Sequence, residues 1–336
     1  MSKYTLGNDD VIVFDSGGTQ LRIYVMNLLS GKLKKIAREE MKNFPNDYKL
    51  SDFVLKNVDN GRVGICAAGV FHPDYTISAP NVRFKEPVTF PKKLHELGCE
   101  VKIGNDVECA AYFEGRLGVA SDVPRSATVT FSSGCGVQLF DRRFGVLTRA
   151  EFGHLPYVLV DGIKCGDGEY GHIESYVSGN GARAIAIQDL LMREDAKNPI
   201  VLASLKDYNK AARKEGLPTF KTKDLDNAMV YKMVVSQIQP KHVYSVEDND
   251  VSERVMDLQS RAIGTCLSEI NGVYAPLDKI VVMGSLATQN WDTLMVQAIG
   301  EYQQKHHQHP NLPLAEIVKS VDPLNGCKGA GAMYKA

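Results

Sequence analysis

The sequence predicts an α/β protein of two similar lobes, each built on a β-sheet, facing each other across a cleft. Three observations lead there. The chain has 336 residues and a 44% hydrophobic fraction, long enough for two cores. A strand, a polar glycine-rich tip and a second strand occur in that order twice, about a third of the chain apart. Short β-branched runs and stretches of helical periodicity fill the space between and after the two copies.

The first copy opens with residues 11–14 (VIVF), an apolar run that ends in Asp15, Ser16, Gly17, Gly18 and Thr19, and the alternating run 21–25 (LRIYV) follows at once. This reads as a β-hairpin. The second copy runs through 128–131 (TVTF), then Ser132, Ser133, Gly134, Cys135 and Gly136, then 137–140 (VQLF). Phe14-Asp15-Ser16-Gly17 lines up with Phe131-Ser132-Ser133-Gly134. Between the copies come a strand at 62–66 (RVGIC), a loop punctuated by glycine and proline through Ala79, Pro80 and Asn81, and a strand at 100–103 (EVKI). Asn105 then starts a helix that runs to about Gly118. Residues 183–275 carry helical periodicity, clearest at 184–192 and 254–270, with a lysine-rich stretch at 194–225 expected as a surface excursion. A buried strand at 279–283 (KIVVM) ends in Gly284 and Ser285, and the tail at 326–334 reads as a helix of small residues.

Bulk composition excludes several function classes. Basic and acidic residues number 39 and 40, for a net charge of -1, so no electrostatic footprint for nucleic acid or an anionic membrane is present. No window has the apolar length of a membrane span, and the first residues lack the pattern of a signal peptide, so the expected location is the cytosol. The seven cysteines form an odd, scattered set, expected as reduced core residues.

The two tips offer backbone N–H groups in a concave nest, a geometry that binds phosphate oxygens without a P-loop lysine. A single Ser-Gly-Gly is an ordinary tight hairpin; two copies at matching positions favour phosphate. Asp15 could also hold Mg2+ through water, whereas the second copy has Ser132 in its place. Asn105 with Glu108 three residues on has the spacing of a helix cap, which accounts for Asn105 alone. Asp106, in the first helical turn at a lobe junction, is either an ordinary first-turn acid or a base facing the cleft. Glu151, His154, Cys165, Asp167, His172 and Glu174 crowd metal-capable and hydrogen-bonding side chains into one glycine-rich segment. It reads as a solvated loop or as a segment ordered by something bound.

At these residues the sequence resembles the ROK family of sugar kinases and sugar-responsive repressors. Asp15-Ser16-Gly17-Gly18-Thr19 is similar to its first phosphate loop, Ser133-Gly134-Cys135-Gly136 to its second, and 283–287 (MGSLA), with Gly284 and Ser285, to its adenosine-site turn. Residues 104–106 (GND) match the segment that carries the catalytic base, 151–154 (EFGH) the E-x-G-H sugar contact, and 165–174 (CGDGEYGHIE) the pattern C-G-C-G-x-x-G-C-x-E. The resemblance implies the actin-like ATPase fold, with a small lobe of 1–107 and 320–336 and a large lobe of 108–319. It implies ATP and Mg2+ as cofactors, Asp106 as base, and a sugar held by Asn81, Asn105, Asp106, Glu151, His154 and Glu174. A homodimer is the usual assembly.

Two departures qualify these implications. Asp167 and His172 stand where the family pattern has cysteines, so His154, Cys165, Asp167 and His172 either keep a structural Zn2+ with a mixed ligand set or have lost it. Val137 and Gln138 replace glycines after the second loop. The substrate reading is a glucose-like hexose, with an N-acetylhexosamine as the alternative. A catalytically silent sugar sensor is the alternative of another class; against a repressor, the first loop starts at residue 15, leaving no room for a DNA-binding domain before it.

Overall fold

The computed structural model describes residues 6–16, 20–58, 61–67, 69–78, 86–148, 151–159, 162–306 and 311–335. Gly17, Gly18 and Thr19 of the first tip and the sugar candidate Asn81 lie outside these. The first half contains β1 (Asp10–Ser16), β2 (Gln20–Asn27), β3 (Leu33–Glu40), α1 (Asp47–Asn57), β4 (Arg62–Ala67), β5 (Val70–Phe71), β6 (Ile77–Ser78), α2 (Phe90–Glu96), β7 (Glu100–Gly104) and α3 (Asp106–Arg116). The second contains β8 (Arg125–Phe131), β9 (Cys135–Asp141), β10 (Gly145–Val146), α4 (Glu174–Val177), α5 (Gly179–Arg193), α6 (Pro199–Glu215), α7 (Ala228–Ser236), α8 (Pro240–Tyr244), α9 (Asp250–Tyr274), β11 (Lys279–Met283), α10 (Ser285–Gln289), α11 (Val296–His306), β12 (Glu316–Lys319) and α12 (Asn325–Ala332).

The repeat is visible in the sheets. One has the order β3-β2-β1-β4-β7 and the other β10-β9-β8-β11-β12, each with an antiparallel hairpin at one side and parallel strands at the other. Alternation along β1 serves two faces. Ile12 and Phe14 pack with Leu50, Val54, Phe90 and Leu94 from α1 and α2, while Val11 and Val13 face Cys109 of α3 and Ala330 of α12. In the second half, Ala127, Val129 and Phe131 pack under Ile263 and Leu267 of α9 and Tyr302 of α11.

Each half ends in a helix that crosses to the other. After β7, α3 packs on β8 and β9; after β12, α12 packs on β1 and β4; and the two helices pack on each other. A side chain at Gly329 would run into the Cys109 carbonyl, so the small-residue tail is what lets α12 lie this close to α3.

Two readings change. Strand β3 (LKKIAREE) went unseen in the sequence because it is a half-exposed edge strand whose charged side chains hide the alternation. The stretch 194–225 is not a surface excursion: α6 runs through it, and Ile200, Val201, Leu205 and Leu225 are buried with α5 and α7. Its apolar positions cluster at 200–205 and the rest of the helix is rich in lysine and arginine, which masks a helix with one buried face. All seven cysteines are free and buried, as expected. No described helix is long and apolar enough to cross a membrane.

Candidate active site

The second tip organises the site. Ser132 N–H donates to the Gly134 carbonyl at 3.0 Å, and Gly179 N–H, at the start of α5, donates to the Ser132 carbonyl at 2.7 Å. Cys135 N–H donates to Glu174 Oε2 at 2.9 Å, so a carboxylate from 39 residues away closes the tip from behind. Among the described residues the amides of Ser133 and Gly134 keep no internal acceptor. Gly136 sits against the Val107 side chain, and Gly153 against the Cys135 carbonyl. Three separate segments, those of Val107, Gly153 and Glu174, therefore meet at Cys135 and Gly136, and Asn105, Asp106, Glu151 and His154 flank these contacts in sequence.

The start of α3 is capped locally. Asn105 Oδ1 accepts from Glu108 N–H at 2.6 Å, and Asp106 Oδ1 accepts from its neighbour Val107 N–H at 3.0 Å. Both acids of this turn face the positive end of the helix dipole, but only Asp106 is exposed. Gly326, at the start of α12, lies against the Asp106 backbone, which puts this carboxylate where the two halves meet.

The four metal candidates converge. One donor atom from each of His154, Cys165, Asp167 and His172 lies within 4.8 Å of all the others. Asp167 Oδ2 is 3.0 Å from His154 Nδ1 and 3.1 Å from His172 Nδ1, and Cys165 Sγ is 3.8 Å from His154 Nδ1. His172 Nδ1 is buried and makes no hydrogen bond among the described residues, although Asp167 Oδ2 lies within 3.1 Å. A buried nitrogen aimed at a thiol, a carboxylate and a second imidazole suits a tetrahedral cation better than a proton. Burial pushes the Cys165 thiol up, with the Asp167 backbone and Ser175 opposing. Burial raises Asp167 too, but the Glu169 N–H, Cys165 and the two histidines outweigh it and hold the carboxylate below its usual range. Cys165 Sγ is also 3.8 Å from Glu174 Oε1, so the cluster is joined through Glu174 to the second tip.

The first tip is built differently. Asp15, near the end of β1, accepts at Oδ2 from Arg22 Nη1 at 2.8 Å, across the hairpin. Its Oδ1 accepts no hydrogen bond among the described residues.

Two pockets flank the second tip. One, about 290 Å³, is lined by Ser132 and Ser133, by Asn180 of α5, by Lys241 and Tyr244 of α8 and by Ser285 of α10. Its neighbour, about 630 Å³, shares Ser285 and adds Gly284, Lys319, Asp322 and Asn325. Gly284 has φ of 94°, and a side chain there would strike the Phe131 carbonyl, so the turn after β11 needs glycine. Asn180, Lys241 and Tyr244 escaped the sequence reading. They reach the pocket only through the packing of α5 and α8, and no local motif marks them.

Comparison with known proteins follows the same outline. The sequence profile described as ROK family matches residues 11–336. Over 143 residues, 38% of this chain and 44% of the relative, the sequence is 31% identical to a glucokinase of Streptomyces coelicolor. Over 198 residues, 51% of this chain and 64% of the relative, it is 31% identical to an N-acetyl-D-glucosamine kinase of Vibrio atlanticus. These alignments thus span about half of each curated relative. The crystal structure of a ROK family glucokinase from Streptomyces griseus, in complex with glucose and AMPPNP, superposes with a TM-score of 0.63 at 21% identity, covering 96% of this chain and 98% of that one.

Proposed function

The chain belongs to the ROK family, and from that premise we propose that it is an ATP-dependent sugar kinase that phosphorylates a glucose-like hexose with Asp106 as the base. The observation that supports this most is the exposed Asp106 carboxylate at the junction of the halves, next to a tip whose Ser133 and Gly134 amides stand free among the described residues. In this reading the sugar lies among Asn105, Asp106, Glu151 and His154. Asp106 takes the proton of the attacking hydroxyl as its oxygen bonds to the terminal phosphorus and the bond to the ADP oxygen breaks. The Ser133 and Gly134 amides hold phosphate oxygens, and the turn at Gly284 and Ser285, with Lys241 and Tyr244, holds the rest of the nucleotide. Mg2+, when bound, would neutralise phosphate charge; Asp15 fits that role because Arg22 occupies only one of its oxygens.

Glu174 takes a modified place in the proposal. Both its oxygens already face protein groups, so its part is to set the second tip and the sugar segment against each other. Zn2+ held by His154, Cys165, Asp167 and His172 would add a structural cross-link to that segment. The division into lobes of 1–107 with 320–336 and of 108–319, a homodimer and a cytosolic location belong to the same proposal and rest on the family resemblance. A second reading, an N-acetylhexosamine as acceptor, draws on the match to the Vibrio relative.

The test is ADP release with ATP and Mg2+ across glucose, mannose, fructose, N-acetylglucosamine and N-acetylmannosamine, beside Asp106→Ala. One sugar is expected to turn over, with about 10²–10⁴-fold loss in the variant. Turnover that survives in Asp106→Ala removes the base; no turnover, with sugar binding intact, removes the kinase.

A further inference from the structure

A groove on the second half, away from the candidate active site, lies between α6 and the segment 217–222. We propose that it binds a small phosphate monoester, its phosphate on Lys206, Arg213 and Lys221 and its organic body on Phe220 and Leu202. The groove measures about 490 Å³, within the roughly 300–1,000 Å³ usual for small-molecule sites.

Its walls are built rather than incidental. On one side, Leu202, Lys206, Asn209 and Arg213 follow one another at helical spacing along a single face of α6. The other wall is pinned to that face: Asn209 Nδ2 donates to the Phe220 carbonyl at 2.7 Å, and Phe220 N–H returns to Asn209 Oδ1 at 2.9 Å. Tyr208 stacks on Phe220 with ring centres 5.7 Å apart, and its hydroxyl donates to the Pro218 carbonyl at 3.3 Å. Lys221 N–H is fixed by Asp224 Oδ2 at 2.7 Å. Phe220 and the Lys221 backbone are therefore held in place before anything binds.

Basic charge is in excess. Residues 206–224 carry six basic side chains against three acids, Asp207, Glu215 and Asp224. Asp207 points away, paired to Lys241 and within 3.1 Å of His242 Nε2, which hold its carboxyl down at about 2. Among the described residues no carboxylate pairs with the side chains of Lys206, Arg213 or Lys221. A lysine-rich helix face is ordinarily just solvated, but here a closed second wall turns it into a concavity. Arginine and lysine side chains lining one groove suit a doubly charged phosphate, and the Phe220 face suits a ring or an apolar body.

The test is calorimetric titration of the full chain with glucose 6-phosphate, glycerol 3-phosphate, AMP and inorganic phosphate, beside the triple variant Lys206→Gln, Arg213→Gln, Lys221→Gln. All three substituted side chains are exposed, so folding should be unaffected, which circular dichroism checks. At least one ester should bind saturably, at least tenfold tighter than inorganic phosphate and at least tenfold weaker in the triple variant, with affinity falling as salt rises. Equal binding to protein and variant would place the ester elsewhere and overturn the proposal. So would the absence of saturable binding by every ester below about 10 mM, or inorganic phosphate binding as tightly as the best ester. None of these readouts needs turnover, so they stand apart from the fate of the proposed kinase activity.

Discussion

The two hairpins, β1–β2 and β8–β9, share strand order and pairing sense, yet they handle charge in different ways. The first carries its own acid, Asp15, in strand and pairs it across the hairpin to a half-exposed Arg22. The second has Ser132 at that position and takes a carboxylate from α4 instead, Glu174, onto the Cys135 N–H. The helices that follow the sheets diverge in the same sense: α3 begins with an exposed Asp106, whereas α12 begins with Asn325, buried and donating to Ser320 Oγ at 3.1 Å. Duplication preserved the backbone frame, and chemistry was then assigned to each half by single side chains. A tip with its own acid is independent of the rest of the fold; a tip with a borrowed acid depends on the segment that lends it.

The largest expected effect tests that dependence. Glu174→Ala leaves the Cys135 N–H without its acceptor and should cost about 1–3 kcal/mol of stability. It should also lower sugar-dependent ADP release by about 10²-fold, through misplacement of the tip. Asp15→Ala breaks a half-exposed ion pair and should cost no more than about 1 kcal/mol in urea unfolding. An Asp15→Ala loss equal to that of Glu174→Ala would break the comparison.

Metal removal comes next. Because the four ligand candidates attach through Glu174 to the second tip, a chelator should lower the Tm by about 5 °C and perturb the fluorescence of Trp291, which packs on the core of the second half. Amide exchange in β1 and β4 should stay unchanged. Less than about 0.1 metal per chain by elemental analysis, together with an unmoved Tm, would show that the lent carboxylate acts without a cation.

The smallest effect concerns the contact between the crossing helices. Glu114 of α3 accepts from Ser320 Oγ at 2.5 Å and from Val119 N–H at 3.1 Å, and burial still outweighs these bonds and raises its carboxyl above the usual range. A raised acid binds its proton more tightly in the folded state, so its contribution is greatest below the ordinary carboxylate range and declines as pH rises through the folded value. Glu114→Gln should therefore flatten the fall in stability above about pH 4.5, measured by urea unfolding at a series of pH values. An unchanged slope would remove Glu114 from the account.

Much of this was legible in residue order alone. The apolar runs at 11–14, 62–66, 128–131 and 279–283 are buried strands bounded by glycine or polar residues, and a short continuous β-branched run together with turn chemistry is a local signal. The two tips share a glycine three residues after a phenylalanine, Gly17 and Gly134, and the Asn105 cap acts over three residues. What needed the tertiary structure depends on neighbours distant in the chain. Strand β3 is a strand only because β2 offers it an edge. The lysine-rich α6 is a helix with a core only because α5 and α7 cover its sparse apolar face. The tie from Glu174 to Cys135 spans 39 residues, and the meeting of α3 with α12 more than 200. Local order thus determined the strands, the tips and the identity of the acids. Packing decided which acid serves which tip, because a hydrogen bond acts over about 3 Å in space, whatever the separation along the chain.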